Sequence, residues 1–138
     1  MLKDEIMRIL PHRDDMLLLD EVNRDGDIAR GIYKVRGDEF FLNGHVPGNP
    51  IVPGVILCEI LAQSACVLLE DVISDEKLPV YTGLDKVRFR NPVRPGDTIV
   101  TECKITRAKA PFYFAQGTAS VNGKVCVSAE FSFAVTGA

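Results

Sequence analysis

Residues 54–73 read GVILCEILAQSACVLLEDVI, and this stretch decides the fold. As one helix it would be about 30 Å long. Its apolar residues, among them Val55, Ile56, Leu57, Ile60, Leu61, Ala65, Val67, Leu68 and Val72, cover nearly every side. A helix that is apolar all round is enclosed, either by lipid or by protein. Pro53 and Gly54 lie inside the apolar run that starts at Ile51, and Glu59, Gln63, Glu70 and Asp71 break it further on. That pattern argues against a membrane span. The rest of the chain must therefore wrap the helix.

The segments around it can do so. Residues 80–93, 98–108, 112–121 and 124–135 are rich in Val, Ile, Thr and Phe and predict strands. Arg94-Pro95-Gly96-Asp97 predicts a turn between the first two. Asn122-Gly123 predicts a hairpin, because both central positions of a type I′ turn need φ > 0. Upstream, residues 3–10 have helical spacing and Pro11 stops them. Residues 16–22 read as a buried strand. Residues 28–35 alternate as a second strand, with Gly31 as its weak point. The expected fold class is α+β: a long central helix wrapped by a curved, mostly antiparallel sheet, with residues 1–138 as a single domain. One small sheet covers only one side of such a helix, so association with another copy is expected.

Composition narrows the function. The chain has 138 residues, 46% of them hydrophobic, so it can bury a core. The net charge of -3 argues against general nucleic-acid binding. Cys58, Cys66, Cys103 and Cys126 form no CxxC pair and His12 and His45 are the only histidines, so no zinc-ligand cluster is visible. Free, buried thiols in a reducing compartment are expected. The N-terminus lacks a signal-peptide pattern, and a cytoplasmic protein is expected.

The chemistry lies just before the helix and in its first turns. Residues 43–53 contain Gly44, Pro47, Gly48, Pro50 and Pro53, which predict a constrained loop. That loop carries His45, whose side-chain type titrates near neutrality and suits a general base. It leads into a helix start, where free N–H groups and the helix dipole favour negative charge, so the Gly54 amide can hold a developing oxyanion. Glu59 and Gln63 follow at i and i+4 on an otherwise apolar face. Burial favours the neutral form of a carboxyl, which a general acid needs. A lone loop histidine or a lone helix glutamate is more often structural. The sequence also does not say whether His45 and Glu59 meet, within one chain or between two.

The string His45-Val46-Pro47-Gly48-x-Pro50-x-x-Pro53-Gly54-Val55-x-x-x-Glu59-x-x-x-Gln63 resembles the signature of bacterial β-hydroxyacyl-acyl-carrier-protein dehydratases of the FabZ type. Leu10-Pro11-His12-Arg13 with Leu17-Leu18-Leu19-Asp20, Asp85-Lys86-Val87-Arg88-Phe89, and Pro92-Val93-x-Pro95-Gly96-Asp97 resemble further motifs of that family, so the likeness covers nearly the whole chain. It implies a hot-dog fold, homodimers with a continuous sheet, and hexamers built as trimers of dimers. It also implies a site at the dimer interface that pairs His45 of one subunit with Glu59 of the other. The Gly54 amide would bind the thioester carbonyl and Gln63 would support the site. The implied reaction converts a (3R)-hydroxyacyl group to a trans-2-enoyl group on the phosphopantetheine arm of acyl carrier protein, in bacterial-type fatty acid synthesis. No metal or redox cofactor is expected. An alternative assigns both proton transfers to His45 and leaves Glu59 to position it. Glu59, where an isomerising relative carries Asp, favours dehydration alone. Val46 departs from the family's usual Phe, which bears on chain-length preference.

Smaller signals remain. Lys86, Arg88 and Arg90 alternate as on one face of a strand and could dock an acidic carrier protein; ordinary ion pairing is the plainer reading. His12 is expected in a turn or interface role. Tyr81 is a candidate gate of the acyl tunnel, and Phe112, Tyr113 and Phe114 are candidates for tunnel lining or packing. The rival functions are an acyl thioesterase on the same fold and a non-catalytic acyl-binding subunit.

Overall fold

The computed structural model describes residues 1–137. All strand pairings are antiparallel, in one six-stranded sheet of order β1-β2-β4-β5-β6-β3. The strands are β1 (Glu21–Asp25), β2 (Ile28–Lys34), β3 (Lys77–Phe89), β4 (Thr98–Lys109), β5 (Phe112–Val121) and β6 (Lys124–Gly137). Helix α1 (Lys3–Ile9) precedes them, and α2 (Gly54–Cys66) packs across β2, β3, β4, β5 and β6. The curved sheet holds α2 as the sequence predicts, and this is the hot-dog arrangement. Inward residues alternate along β4 and β5: Ile99, Thr101, Cys103, Tyr113, Ala115 and Ala119 are buried, and the core they face also takes in Ile60, Leu61 and Ala65 of the helix.

The helix is shorter than its apolar pattern suggests. Its α-helical part has 13 residues, and Val67–Leu69 continues as a 3-10 turn. β-Branched Val67, Val72 and Ile73 are weak helix formers. Glu70 and Asp71 stand where the helix dipole disfavours negative charge.

Residues 16–22 are not one strand either. A 3-10 turn spans Asp14–Met16, Leu17, Leu18 and Leu19 are buried without a ladder, and β1 starts only at Glu21. The Leu18 N–H bonds the Gln63 side chain instead, at 2.9 Å.

Gly31 is a fitted position in β2. A Cβ there would lie 2.6 Å from Thr101 Oγ1, 2.7 Å from Ser64 Oγ and 2.9 Å from Leu19 Cδ2. Strand β2 thus lies close against the helix because it lacks a side chain at that point. Asn122 and Gly123 adopt φ of 50° and 79°, and Val121 pairs with Lys124 across them, as a type I′ hairpin requires. In the other turn, the Asp97 N–H returns to the Arg94 carbonyl and the Arg94 N–H to Asp97 Oδ2.

Strand β3 is a sheet edge and exposes Val80, Leu84 and Phe89. At the start of α2, Val55 is 72% exposed, so the helix has one uncovered strip. All four cysteines are free and buried. Among the described residues no helix is long and apolar enough to cross a membrane.

Candidate active site

The loop before α2 turns tightly. Gly44, Val46 and Gly48 have φ of 75°, 53° and 83°, and the His45 and Asn49 amides bond the Leu42 and Val46 carbonyls. His45 Nδ1 lies 2.9 Å from the Ile51 carbonyl. A carbonyl oxygen only accepts, so Nδ1 carries the hydrogen, and in the neutral ring Nε2 is then the nitrogen with the lone pair. An unprotonated Nε2 is what a general base needs, and the loop's own backbone selects that tautomer.

Helix α2 begins directly after the loop. The Ile56 and Leu57 amides turn back to the Pro53 carbonyl, and Gly54 N–H, at the first helical position, has no carbonyl a turn ahead of it within the helix. The Phe89 ring packs onto Gly54 so closely that a Cβ would meet its Cε1 at 2.7 Å. His45, Gly54, Phe89, Arg90 and Val93 line one cleft of about 620 Å³, open to solvent and largely apolar. The base and the oxyanion donor expected from the sequence thus share one cavity.

Glu59 is not in that cleft. It lies further along α2, half-buried, and Gln63 and His12 hold its carboxyl. Gln63 Nε2 donates to Glu59 Oε2 at 2.8 Å, and His12 Nε2 stands 3.3 Å from the same oxygen. Within the chain, the described contacts of Glu59 do not include His45. Gln63 is fully buried; its Oε1 accepts from Leu18 N–H and its Nε2 also donates to the Met16 carbonyl at 2.7 Å. Backbone partners therefore fix which end of the amide faces Glu59.

Tyr81 lies on β3 with its ring against Phe131 and Phe133. Its hydroxyl donates to the Cys58 carbonyl at 2.7 Å, one residue before Glu59. Burial, with Cys58 and Glu59 nearby, pushes its ionisation well above the usual phenol range. Phe112 and Phe114 face outward and are exposed, with the Arg107 guanidinium 5.7 Å from the Phe114 ring centre, while Tyr113 is buried.

The basic ladder does not run on a regular strand. A register shift separates Asp85 from Arg88, Lys86 has φ of 49°, and β3 ends at Phe89. The bulge breaks the two-residue alternation that the spacing suggested. Lys86 Nζ pairs with Glu130 Oε2 at 3.6 Å, and Arg90 lines the His45 cleft.

The sequence reading missed the contact of His12 with Glu59 and the Phe89 wall over Gly54. His12 belongs to the Leu10–Arg13 motif and Phe89 to the Asp85–Phe89 motif, and neither motif identifies a spatial partner.

A family model described as a FabA-like domain matches residues 10–130. The chain is 41% identical to the 3-hydroxyacyl-[acyl-carrier-protein] dehydratase FabZ of Halalkalibacterium halodurans, over 96% of each chain. It is 40% identical to the enzyme of the same name from Macrococcus caseolyticus, over 96% of this chain and 93% of that protein. Among solved structures, the dehydratase heterocomplex ApeI:P from Xenorhabdus doucetiae superposes with a TM-score of 0.81 at 22% identity, covering 94% of this chain and 90% of that one. The PaaI protein of E. coli, from the phenylacetic acid degradation operon, reaches 0.65 at 14% identity, covering 83% and 81%. At such identities the structural likeness speaks for the fold alone, whereas the sequence matches run through the loop and helix that carry His45, Gly54, Glu59 and Gln63. The chain therefore belongs to the FabA-like family and is a dehydratase of the FabZ type.

Proposed function

We propose that this chain removes water from a (3R)-hydroxyacyl thioester on the phosphopantetheine arm of acyl carrier protein, giving the trans-2-enoyl thioester of fatty acid synthesis. The observation that carries the reading is the contact of His45 Nδ1 with the Ile51 carbonyl at the cleft that also holds Gly54. Nδ1–H is committed to the Ile51 carbonyl, and the basic Nε2 belongs to a residue lining the same cleft as the Gly54 amide. The thioester carbonyl oxygen accepts from Gly54 N–H. His45 Nε2 takes the proton from C2, the C2–C3 double bond forms, and the C3–O bond breaks. Glu59, entering as the protonated acid, gives its proton to the departing hydroxyl, which leaves as water.

Glu59 comes from a second copy in this reading. Three observations support that: its absence from the lining of the cleft in its own chain, the exposed Val55 one helical turn before it, and the edge strand β3 with apolar Val80, Leu84 and Phe89. The unit is at least a homodimer, and gel filtration separates a dimer from a hexamer formed as a trimer of dimers. Residues 1–138 act as one domain, since one core cluster runs from Ile6 to Val135. Free, buried thiols support a cytoplasmic location. Tyr81 gates the inner acyl path, and opening it requires breaking its bond to the Cys58 carbonyl. With Lys86 paired, carrier docking rests on Arg88 and Arg90.

The test follows enoyl absorbance in the ultraviolet with a 3-hydroxyacyl carrier substrate, for wild type, His45→Ala and Glu59→Ala. Absorbance should rise with wild type alone, and mixing the two inactive variants should restore part of it through mixed dimers. Release of free thiol without enoyl absorbance would replace dehydration by hydrolysis. Full turnover by Glu59→Ala would remove the two-residue scheme.

A further inference from the structure

We infer that His12 is a positioning residue for Glu59, and that with Gln63 it reserves Oε2 as an acceptor so that the acidic proton resides on Oε1. The inference rests on the reading of Glu59 as the acid.

Three observations combine. First, the Gln63 amide has only one workable orientation. Its Oε1 meets a backbone N–H, which only donates, and its Nε2 meets the Met16 carbonyl, which only accepts. The nitrogen turned to Glu59 is therefore a donor, and Oε2 must accept.

Second, His12 Nε2 stands 3.3 Å from that same oxygen, while His12 Nδ1 is buried with no hydrogen-bond partner among the described residues. A hydrogen on Nδ1 would be a buried donor without an acceptor, and it would leave the Nε2 lone pair facing the lone pairs of Oε2. A hydrogen on Nε2 lies between the ring and a carboxyl oxygen 3.3 Å away, and leaves a bare lone pair buried on Nδ1. Nδ1 is unpartnered in either tautomer, so the contact at Nε2 decides: the neutral Nε2–H form is favoured because the other form sets the Nε2 lone pair against those of Oε2.

Third, the segment is clamped. The Arg13 guanidinium donates to the carbonyls of Met7, Leu10 and His12 at 2.9, 2.8 and 2.7 Å, and Pro11 precedes His12. The Leu10-Pro11-His12-Arg13 motif thus ties the C-terminal end of α1 to the acid on α2. With the Gln63 amide donating to Oε2 and the His12 ring nitrogen 3.3 Å from the same oxygen, a proton carried by Glu59 is left with Oε1.

Two measurements test this. In proton–nitrogen NMR of the histidine rings, at a pH well above the histidine range, the two imidazoles should be opposite tautomers: His12 with hydrogen on Nε2, His45 with hydrogen on Nδ1. His45→Ala assigns the signals. This readout needs no turnover, so it stands even if the dehydratase reading fails. A His12 ring with hydrogen on Nδ1 would overturn the inference.

The second measurement is kinetic. His12→Phe keeps the ring but not the donor. It should lower kcat by on the order of a hundredfold, with KM for the carrier substrate nearly unchanged. His12→Gln, whose amide nitrogen reaches the Nε2 position, should recover most of the loss, and His12→Asn, whose amide falls at Nδ1, should not. Unchanged kcat in His12→Phe, or equal recovery by Asn and Gln, would overturn it. Circular dichroism and gel filtration exclude a variant that merely fails to fold or assemble.

Discussion

Replacing Gln63 by Leu keeps nearly the same shape and removes every polar atom. Three hydrogen bonds disappear: from Leu18 N–H, to the Met16 carbonyl and to Glu59 Oε2. Their partners fare differently. Leu18 is 1% exposed, so its N–H becomes a buried donor with no acceptor, at a cost of about 1–3 kcal/mol. Met16 is half exposed, and its carbonyl can turn to water. Glu59 keeps His12. Against these losses, Leu no longer carries a buried amide, which returns part of the desolvation cost. The balance is a destabilisation of about 2 kcal/mol, or roughly 6–10 °C in Tm for a chain of this size. Urea unfolding at fixed protein concentration measures it, because association makes apparent stability depend on concentration. If Gln63→Leu unfolds within about 0.5 kcal/mol of wild type, the amide does not hold the 16–18 segment to the helix, and the argument for the Gln63 orientation loses its support.

Three further outcomes follow from other parts of the chain. Glu39 is buried, which alone would raise its pKa, but the Arg36 and Gly37 amides and the Tyr33 hydroxyl bond its carboxylate and hold the pKa below the usual glutamate value. Its stabilising contribution is therefore complete above the unfolded glutamate pKa of about 4.3 and is lost as pH falls through the lower folded value; Glu39→Gln should flatten that acid limb of stability against pH, and an unchanged limb would refute the assignment. Burial pushes the Cys103 thiol up to about 12 and also raises Cys58, Cys66 and Cys126, so a disulfide dye should find no fast thiol in the native protein and four after unfolding; rapid native labelling would contradict the burial. Gly31→Ala should destabilise by about 1–3 kcal/mol in urea, because its methyl would press on Thr101, Ser64 and Leu19, and a neutral result would mean that β2 can retreat from the helix freely.

Several features were legible in the sequence because they depend on neighbours along the chain. The all-round apolar pattern of residues 54–73 implied an enclosed helix, of which residues 54–66 are α-helical. Asn122-Gly123 implied its hairpin through backbone φ alone, and the bounds of β5 match the predicted 112–121. The glycine- and proline-rich stretch before Gly54 implied a tight loop presenting His45. The family resemblance sharpened these into a hot-dog dehydratase.

What failed was set by distant partners. Residues 16–22 look like a strand, yet the Leu18 N–H bonds the Gln63 side chain rather than a neighbouring strand. Gly31 reads as a weak point until the close approach of α2 is known. The Lys86–Arg88–Arg90 alternation ignores the bulge at Lys86. His12 reads as a turn or interface residue, and nothing near it in sequence identifies Glu59 as its neighbour.

The sequence by itself determined the enclosed helix, the turn chemistry and the residue types of the site, since periodicity and backbone preference act over a few residues. Only the tertiary structure decided which nitrogen of His45 meets the Ile51 carbonyl, which end of the Gln63 amide faces Glu59, and that His12 stands 3.3 Å from the same carboxyl. Those outcomes depend on which donors and acceptors burial brings together from distant parts of the chain, where an unpaired polar group costs more than the local preferences that spacing reveals.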